Sequence, residues 1–81
     1  MTEKHVTISI PEGLTAKSTT TIIEKANEFL SSIIIDSSDR RVNGKSLLGV
    51  LSLGLKCGDT ILLSANGDDQ EEAIEVLSAM L

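Results

Sequence analysis

Two hydroxyl side chains stand where a helix is expected to begin, and both could take part in phosphate chemistry. Thr15 precedes a long segment of helical periodicity with Lys17 close behind it, and Ser46 precedes a shorter one with Lys45 beside it. A serine or threonine in such a place caps the helix by accepting a backbone N–H. A phosphate on the same oxygen would meet free N–H groups and the positive end of the helix dipole. The residues alone allow a plain cap or a phosphorylation site at each position.

Nucleophilic and acid–base catalysis find little support in this chain. Thr15 has no neighbouring base in the sequence, so its alcohol would be a weak nucleophile and its phosphate ester a poor donor. His5 is the only histidine and lies on the polar side of a predicted strand, and Cys57 is the only cysteine. No metal-ligand spacing, phosphate-cradling glycine loop or paired acid and base occurs. We predict a protein that is not an enzyme and that uses no metal or cofactor.

Composition argues against several other classes of function. The 81 residues carry a formal net charge of −5, and 41% of them are hydrophobic. Such acidity disfavours binding to a nucleic-acid backbone, and Phe29, the sole aromatic residue, offers no platform for stacking bases. No apolar run approaches membrane-spanning length, no signal peptide is evident, and a lone cysteine fits a reducing compartment. The pattern predicts one domain over residues 1-81, in the cytoplasm, with neither nucleic acid nor membrane as a partner.

The hydrophobic periodicity alternates along the chain between the period of a strand and that of a helix. Alternation at Val6, Ile8 and Ile10 predicts a first strand, and apolar residues at 22, 23, 26, 29 and 30 predict a helix that Thr15 caps. The other predicted elements are strands at 33–35, 40–42 and 60–65, a short helix from Ser46 to about Leu53, and a helix over 68–81 opened by a capping box of Asp68 and Glu71. The order β-α-β-β-α-β-α, with polar residues at alternate strand positions, predicts an α+β fold whose sheet has one solvated face.

The short helix after Ser46 has more apolar residues than one buried face can hold. Some of the following side chains must therefore be exposed: Leu47, Leu48, Val50, Leu51, Leu53 and Leu55. On the open face of the sheet, Ile34 and Leu62 are expected to point to solvent from neighbouring strands. This small apolar area could support self-association into a homodimer.

The segment from Asn43 to Gly54, Asn-Gly-Lys-Ser-Leu-Leu-Gly-Val-Leu-Ser-Leu-Gly, resembles the regulatory-serine segment of HPr. HPr proteins are the small phosphocarriers of the bacterial sugar phosphotransferase system. The earlier segment Gly-Leu-Thr-Ala-Lys-Ser occupies the place of that family's phospho-histidine loop. Thr15 stands there for the histidine, Lys17 for an arginine and Ser18 for a proline.

The resemblance implies an open-faced sandwich, a four-stranded antiparallel sheet of order 1-4-2-3 with three helices on one face. It also implies that an ATP-dependent serine kinase phosphorylates Ser46, and that Leu47, Leu48 and Leu51 form a partner-docking patch beside residue 15. The partners that it implies are a serine kinase or phosphatase, enzyme I and transcriptional regulators. Because Thr15 has no ring nitrogen, the resemblance favours a regulatory paralogue that cannot relay phosphate through a histidine.

Two other functions stay open from the sequence. The chain could be a phosphocarrier with altered chemistry at residue 15, although its flanks at Lys17 and Ser18 differ from the family pattern as well. It could also be an acyl carrier protein, because its size and acidity fit and Asp36-Ser37 resembles the dipeptide that bears phosphopantetheine. That serine should open a helix in an all-helical bundle, so a mixed fold would exclude the acyl carrier.

Overall fold

The computed structural model describes all 81 residues and contains four strands and three helices. In chain order they are β1 (Thr2–Thr7), α1 (Ala16–Ala26), β2 (Ser32–Ser37), β3 (Arg40–Asn43), α2 (Leu47–Leu51), β4 (Thr60–Asn66) and α3 (Gln70–Met80). The strands form one antiparallel sheet of order β1-β4-β2-β3. The predicted α+β fold and its strand order 1-4-2-3 are therefore confirmed.

The register of the sheet separates a buried face from a solvated one. Val6 pairs with Ile61 and Ile35 pairs with Leu63, and all four side chains are buried. Residues that pair directly in antiparallel strands share a face, so these pairs define the side that the helices cover. Helix α3 packs on β1 and β4, and α1 packs against both α2 and α3. None of the three helices has the length and apolar character needed to cross a membrane.

Helix α1 ends earlier than its apolar periodicity predicted. Asn27 caps it, because both its backbone N–H and its side-chain amide donate to the carbonyl of Ile23. Phe29 still enters the core, but Leu30 is 83% exposed. The prediction that Leu30 lies on the buried face of α1 is wrong, because the backbone has already left the helical path at this residue.

Two other elements are shorter than predicted. Strand β1 ends at Thr7, since the backbone N–H groups of Ser9 and Ile10 donate to the carbonyl of Leu81 instead of to a neighbouring strand. Helix α2 has regular helical geometry only to Leu51, two residues short of its predicted end. Both differences concern the ends of elements and leave the element order unchanged.

The start of α3 is organised differently from the predicted capping box of Asp68 and Glu71. Asp69 precedes the helix, and its carboxylate makes no bond to the helix backbone. It accepts hydrogen bonds from the backbone N–H of Leu30 and from both the N–H and the hydroxyl of Ser31. The Ser31 hydroxyl and the Leu30 N–H lower the pKa of Asp69, because they stabilise its ionised form. Asp69 thereby ties the segment after α1 to the beginning of α3.

Candidate functional site

Thr15 is the N-cap of α1, and its hydroxyl is engaged with Ser18. The backbone N–H of Ser18 donates to Thr15 Oγ1 at 3.3 Å, and the backbone N–H of Thr15 donates to Ser18 Oγ at 3.0 Å. The Ser18 hydroxyl also donates to the carbonyl of Gly13 at 3.3 Å. This reciprocal arrangement satisfies donors that the start of a helix otherwise leaves free. Ser18 is therefore the structural partner of Thr15 in the cap.

A shallow depression of about 320 Å³ opens beside this cap. Its charged residues, Glu12 and Lys17, are exposed, and Lys17 forms no ion pair. Its apolar residues are buried or half-buried. The complete lining is Ile10, Glu12, Thr15, Lys17, Ser18, Thr21, Ile22 and Met80. The depression therefore offers hydroxyls and one free cation, but no imidazole.

His5 lies on the opposite side of the sheet from this depression. It pairs with Leu62 across β1 and β4, and its neighbour Val6 is the residue that points into the core. Successive side chains of a strand point to opposite faces, so His5 belongs to the solvated face. The sheet itself separates this imidazole from the start of α1, and His5 cannot stand in for a histidine at residue 15.

The loop before α1 is joined to the segment after α2. The backbone N–H of Leu14 donates to the carbonyl of Leu55 at 3.0 Å. A Cβ on Gly13 would lie 2.7 Å from that carbonyl oxygen, and Gly13 has a φ of +72°, so both space and conformation require glycine there. This contact fixes the start of α1 next to the chain that leaves α2. Helices α1 and α2 also pack against each other.

Ser46 is the N-cap of α2. Its Oγ accepts the backbone N–H of Gly49 at 3.1 Å, and its carbonyl accepts the backbone N–H of Val50 at 3.0 Å. The side chain is half-buried. The hydroxyl thus stabilises the first turn of α2 in the unmodified protein.

Lys45 does not leave its cation free beside Ser46, as the sequence had suggested. Its Nζ donates to the carbonyl of Phe29 at 2.7 Å, and its backbone N–H donates to Asn43 Oδ1 at 2.9 Å. The ammonium group therefore holds the segment that follows α1. A phosphate on Ser46 would have to compete with the Phe29 carbonyl for this charge.

Helix α2 exposes part of its apolar surface, as the excess of leucines predicted. Leu48 is 80% exposed and Leu47 is 38% exposed, whereas Leu51 is half-buried. Val50, on the other side of the helix, is completely buried. The three leucines at 47, 48 and 51 are called the leucine patch below.

The far end of α2 is held by β3, a contact that the sequence did not reveal. Arg40 donates from Nη1 to the carbonyl of Ser52 and from Nη2 to its Oγ, both at 2.8 Å. The Ser52 hydroxyl in turn donates to the carbonyl of Gly49 at 2.6 Å. A cation at this end complements the negative end of a helix. The sequence showed only that Arg40 lies in a predicted strand, and no pattern indicated Ser52 as its partner.

The open face of the sheet carries the apolar pair that was expected there. Ile34 and Leu62 are half-buried and lie diagonally on the neighbouring strands β2 and β4, because Leu62 pairs with Asp36. The carboxylate of Asp36 lies 3.7 Å from Nε of Arg41 on β3. The apolar area is therefore small and has a charged border.

The chain matches a known family over almost its full length. The family model of the PTS HPr component phosphorylation site matches residues 2–81. The chain belongs to the HPr family. It is 38% identical to the HPr-like protein Crh of Halalkalibacterium halodurans over 81 residues, which are 100% of this chain and 96% of that protein.

Solved structures of HPr-family members agree with this assignment. Phosphocarrier protein HPr from Bacillus anthracis superposes with a TM-score of 0.96 at 35% identity, covering 99% of this chain and 95% of the other. Crh from Bacillus subtilis, described as a dimer with a swapped domain, gives a TM-score of 0.79 at 32% identity, covering 99% and 92%. The resemblance and the fold that the sequence predicted are both confirmed.

Membership of the HPr family excludes the acyl carrier among the functions left open by the sequence and leaves the altered phosphocarrier as the alternative. HPr-family proteins are phosphocarrier and regulatory proteins of the sugar phosphotransferase system, so the prediction that this chain is not an enzyme is confirmed. The acyl carrier alternative is wrong, because Asp36 and Ser37 lie within β2 and open no helix. Phosphorylation of Ser46 and docking at the leucine patch stay predictions.

Proposed function

We propose that this chain is a regulatory binding module of the HPr family, controlled by phosphorylation of Ser46 and unable to relay phosphate through residue 15. The observation that carries the proposal is Thr15 in the place of the phospho-histidine, with its hydroxyl bonded into a capping box with Ser18. A relay needs a phosphoryl group that leaves readily, and a threonine ester is a poor donor. His5, behind the sheet, offers no replacement.

Three features support Ser46 as the regulated residue. It occupies the serine position in the stretch that resembles the family's regulatory segment. Its oxygen lies within hydrogen-bond distance of the Gly49 N–H, a donor that a phosphate can also use. The leucine patch begins at the next residue, so a charge of about −2 on Ser46 would change the surface that a partner meets.

The leucine patch is the proposed docking surface. Leu48 and Leu47 present apolar side chains to solvent, and the packing of α2 against α1 supports a docking surface that also includes the start of α1. Exposed aliphatic groups in such a cluster are typical of protein interaction sites. The proposed partners are a serine kinase or phosphatase, enzyme I and transcriptional regulators, all meeting one cytoplasmic domain that spans residues 1-81.

Two phosphorylation reactions test this function. In the first, the purified protein is incubated with ATP and the serine kinase that modifies HPr proteins. In the second, it is incubated with phosphoenolpyruvate and enzyme I. Mass spectrometry before and after acid treatment distinguishes a serine ester from a phosphate bound to nitrogen. Ser46→Ala and a histidine-containing HPr serve as the negative and positive controls.

We expect acid-stable phosphate on Ser46 in the first reaction and no phosphate in the second. Acid-labile phosphate after incubation with phosphoenolpyruvate would show instead that the chain is an altered phosphocarrier. Absence of phosphate on Ser46, with the kinase active on the control HPr, would refute the proposal that phosphorylation of Ser46 controls the protein.

Self-association is a second proposal, supported by the dimer described for Crh of Bacillus subtilis and by the half-buried pair Ile34 and Leu62 on the open face of the sheet. Sedimentation equilibrium over a range of concentrations tests it. We expect a dimer that Leu62→Ser weakens and that Leu48→Ser leaves intact. A monomer at all concentrations, or a dimer indifferent to Leu62→Ser, would contradict a role for the open face.

A further inference from the structure

Gly49 lies at the centre of α2, where a glycine is costly. A glycine inside a helix destabilises it by about 0.5–1 kcal/mol relative to alanine. Gly49 does not have a positive φ, unlike Gly13 and Gly54, so its backbone conformation does not require glycine. In a helix of five residues such a cost needs another explanation.

The space around Gly49 supplies that explanation. A Cβ built on Gly49 would lie 3.2 Å from Oγ of Ser46 and 3.3 Å from its Cβ, both tighter than ordinary contacts. The same Cβ would lie 3.5 Å from Cβ of Val42 on β3, which is an ordinary van der Waals distance. A side chain at residue 49 would therefore crowd Ser46 rather than the strand behind the helix. The missing methyl group leaves one flank of the Ser46 hydroxyl open.

We infer that Gly49 is a positioning residue for phosphoryl transfer to Ser46. This inference rests on the proposed phosphorylation of Ser46. In that reaction Oγ forms a bond to the γ-phosphorus of ATP, the bond from that phosphorus to the ADP oxygen breaks, and the hydroxyl proton passes to a base of the kinase. The attacking oxygen must leave its capping position and accept three bulky oxygens around phosphorus. The absence of a side chain at Gly49 leaves space for the Ser46 side chain to rotate. The Gly49 N–H, which donates to Ser46 Oγ in the unmodified protein, can then donate to the phosphate.

The test compares the wild-type chain with Gly49→Ala, with the double variant Val42→Ala/Gly49→Ala and with the control Ser78→Ala. Ser78 lies on α3, away from the site, and its replacement by alanine also improves helix propensity. Phosphorylation by the serine kinase and ATP is followed by mass spectrometry to obtain kcat and KM. Circular dichroism gives the melting temperature of each protein, and the kinetics are measured where all four are folded.

We expect Gly49→Ala to lower kcat at least tenfold with KM within about twofold, because the leucine patch is intact. The double variant relieves contact with β3 only, so it should be as slow as Gly49→Ala. Ser78→Ala should react like wild type.

Equal rates for Gly49→Ala and wild type would overturn this role of Gly49 and leave the proposed function standing. Recovery of the rate in the double variant would also overturn it, because packing against Val42 would then be the cause. Failure of the wild-type chain to accept phosphate, with the kinase active on another HPr, would refute both the proposed function and this inference.

Discussion

Nζ of Lys45 donates a 2.7 Å hydrogen bond to the carbonyl of Phe29, which joins the residue before Ser46 to the segment that leaves α1. The bond satisfies a carbonyl that follows the last turn of the helix, and it places a cation near the negative end of α1. In the unmodified protein, Lys45 is therefore a structural residue. Its charge becomes available to a phosphate on Ser46 only if this contact is given up.

Lys45→Met should lower the free energy of unfolding by about 1.5–2 kcal/mol, the lower part of the range for a hydrogen bond with a charged partner, since Lys45 is half-buried. Urea denaturation followed by circular dichroism measures the change. Lys17→Met is the matched control, because Lys17 is exposed and has no ion pair, and it should stay within about 0.5 kcal/mol of wild type. Equal losses in the two variants would show that the Phe29 contact contributes nothing.

Asp69 should make the stability depend on pH in the acid range. Its pKa is lowered in the folded protein, chiefly by the Ser31 hydroxyl and the Leu30 N–H, from an unfolded value near 3.8. The unfolded chain then binds the proton more readily, so this contribution is fully present above the unfolded pKa and is lost as the pH falls through the lowered folded pKa. Asp69→Asn should remove the corresponding slope below about pH 5 and be less stable than wild type at neutral pH.

Asp68→Asn is the control for this pH dependence, because Asp68 is exposed and forms none of these bonds. Urea midpoints between pH 2 and pH 7 give the comparison. If Asp69→Asn and wild type lose stability in parallel as the pH falls, the tie between α3 and Ser31 does not control acid unfolding.

Gly13→Ala should lower the melting temperature more than Gly54→Ala does, although both glycines have a positive φ. Gly54 has no atom within 4 Å of the built Cβ, so its substitution costs only the left-handed conformation, about 1–2 kcal/mol. Gly13→Ala adds an overlap with the carbonyl of Leu55 and should also weaken its hydrogen bond with Leu14. Thermal unfolding measures the difference. Similar melting temperatures for the two variants would argue against a tight junction between the α1 loop and the end of α2.

Leu48→Ser should impair recognition and spare the fold. Leu48 is 80% exposed, so the free energy of unfolding should change by no more than about 0.5 kcal/mol. If the leucine patch docks the serine kinase, KM for phosphorylation should rise severalfold with little change in kcat. Val50→Ala is the opposite case, since Val50 is completely buried and its truncation should cost about 2 kcal/mol. An unchanged KM for Leu48→Ser would remove Leu48 from the docking surface.

The parts of this structure that were predictable from sequence are those fixed by local chemistry. Alternating and helical periodicity identified the element order, and the hydroxyls of Thr15 and Ser46 marked the starts of α1 and α2. The strand order came from the resemblance to HPr, because periodicity says nothing about which strands are neighbours.

The misjudged residues have partners that are distant in sequence. Lys45 bonds to a residue 16 positions away, and Asp69 bonds to Leu30 across 39 positions. The Leu30 N–H that Asp69 accepts lies beyond the end of α1, where Leu30 has left the predicted apolar face. A polar side chain can bond either to the nearby helix end or to a backbone group that is distant in sequence. The sequence does not identify the distant group, so the hydrogen-bond partner of such a side chain could not be predicted.

Helix α2 is anchored at both ends, by Lys45 on Phe29 and by Arg40 on Ser52. A free peptide of this length would be almost entirely unstructured in water. Held in this way, the segment is already shaped when another protein arrives, and little conformational entropy is left to lose on association. If partners dock on the leucine patch, their complexes should therefore assemble in a single kinetic phase, by rigid docking rather than by folding upon contact.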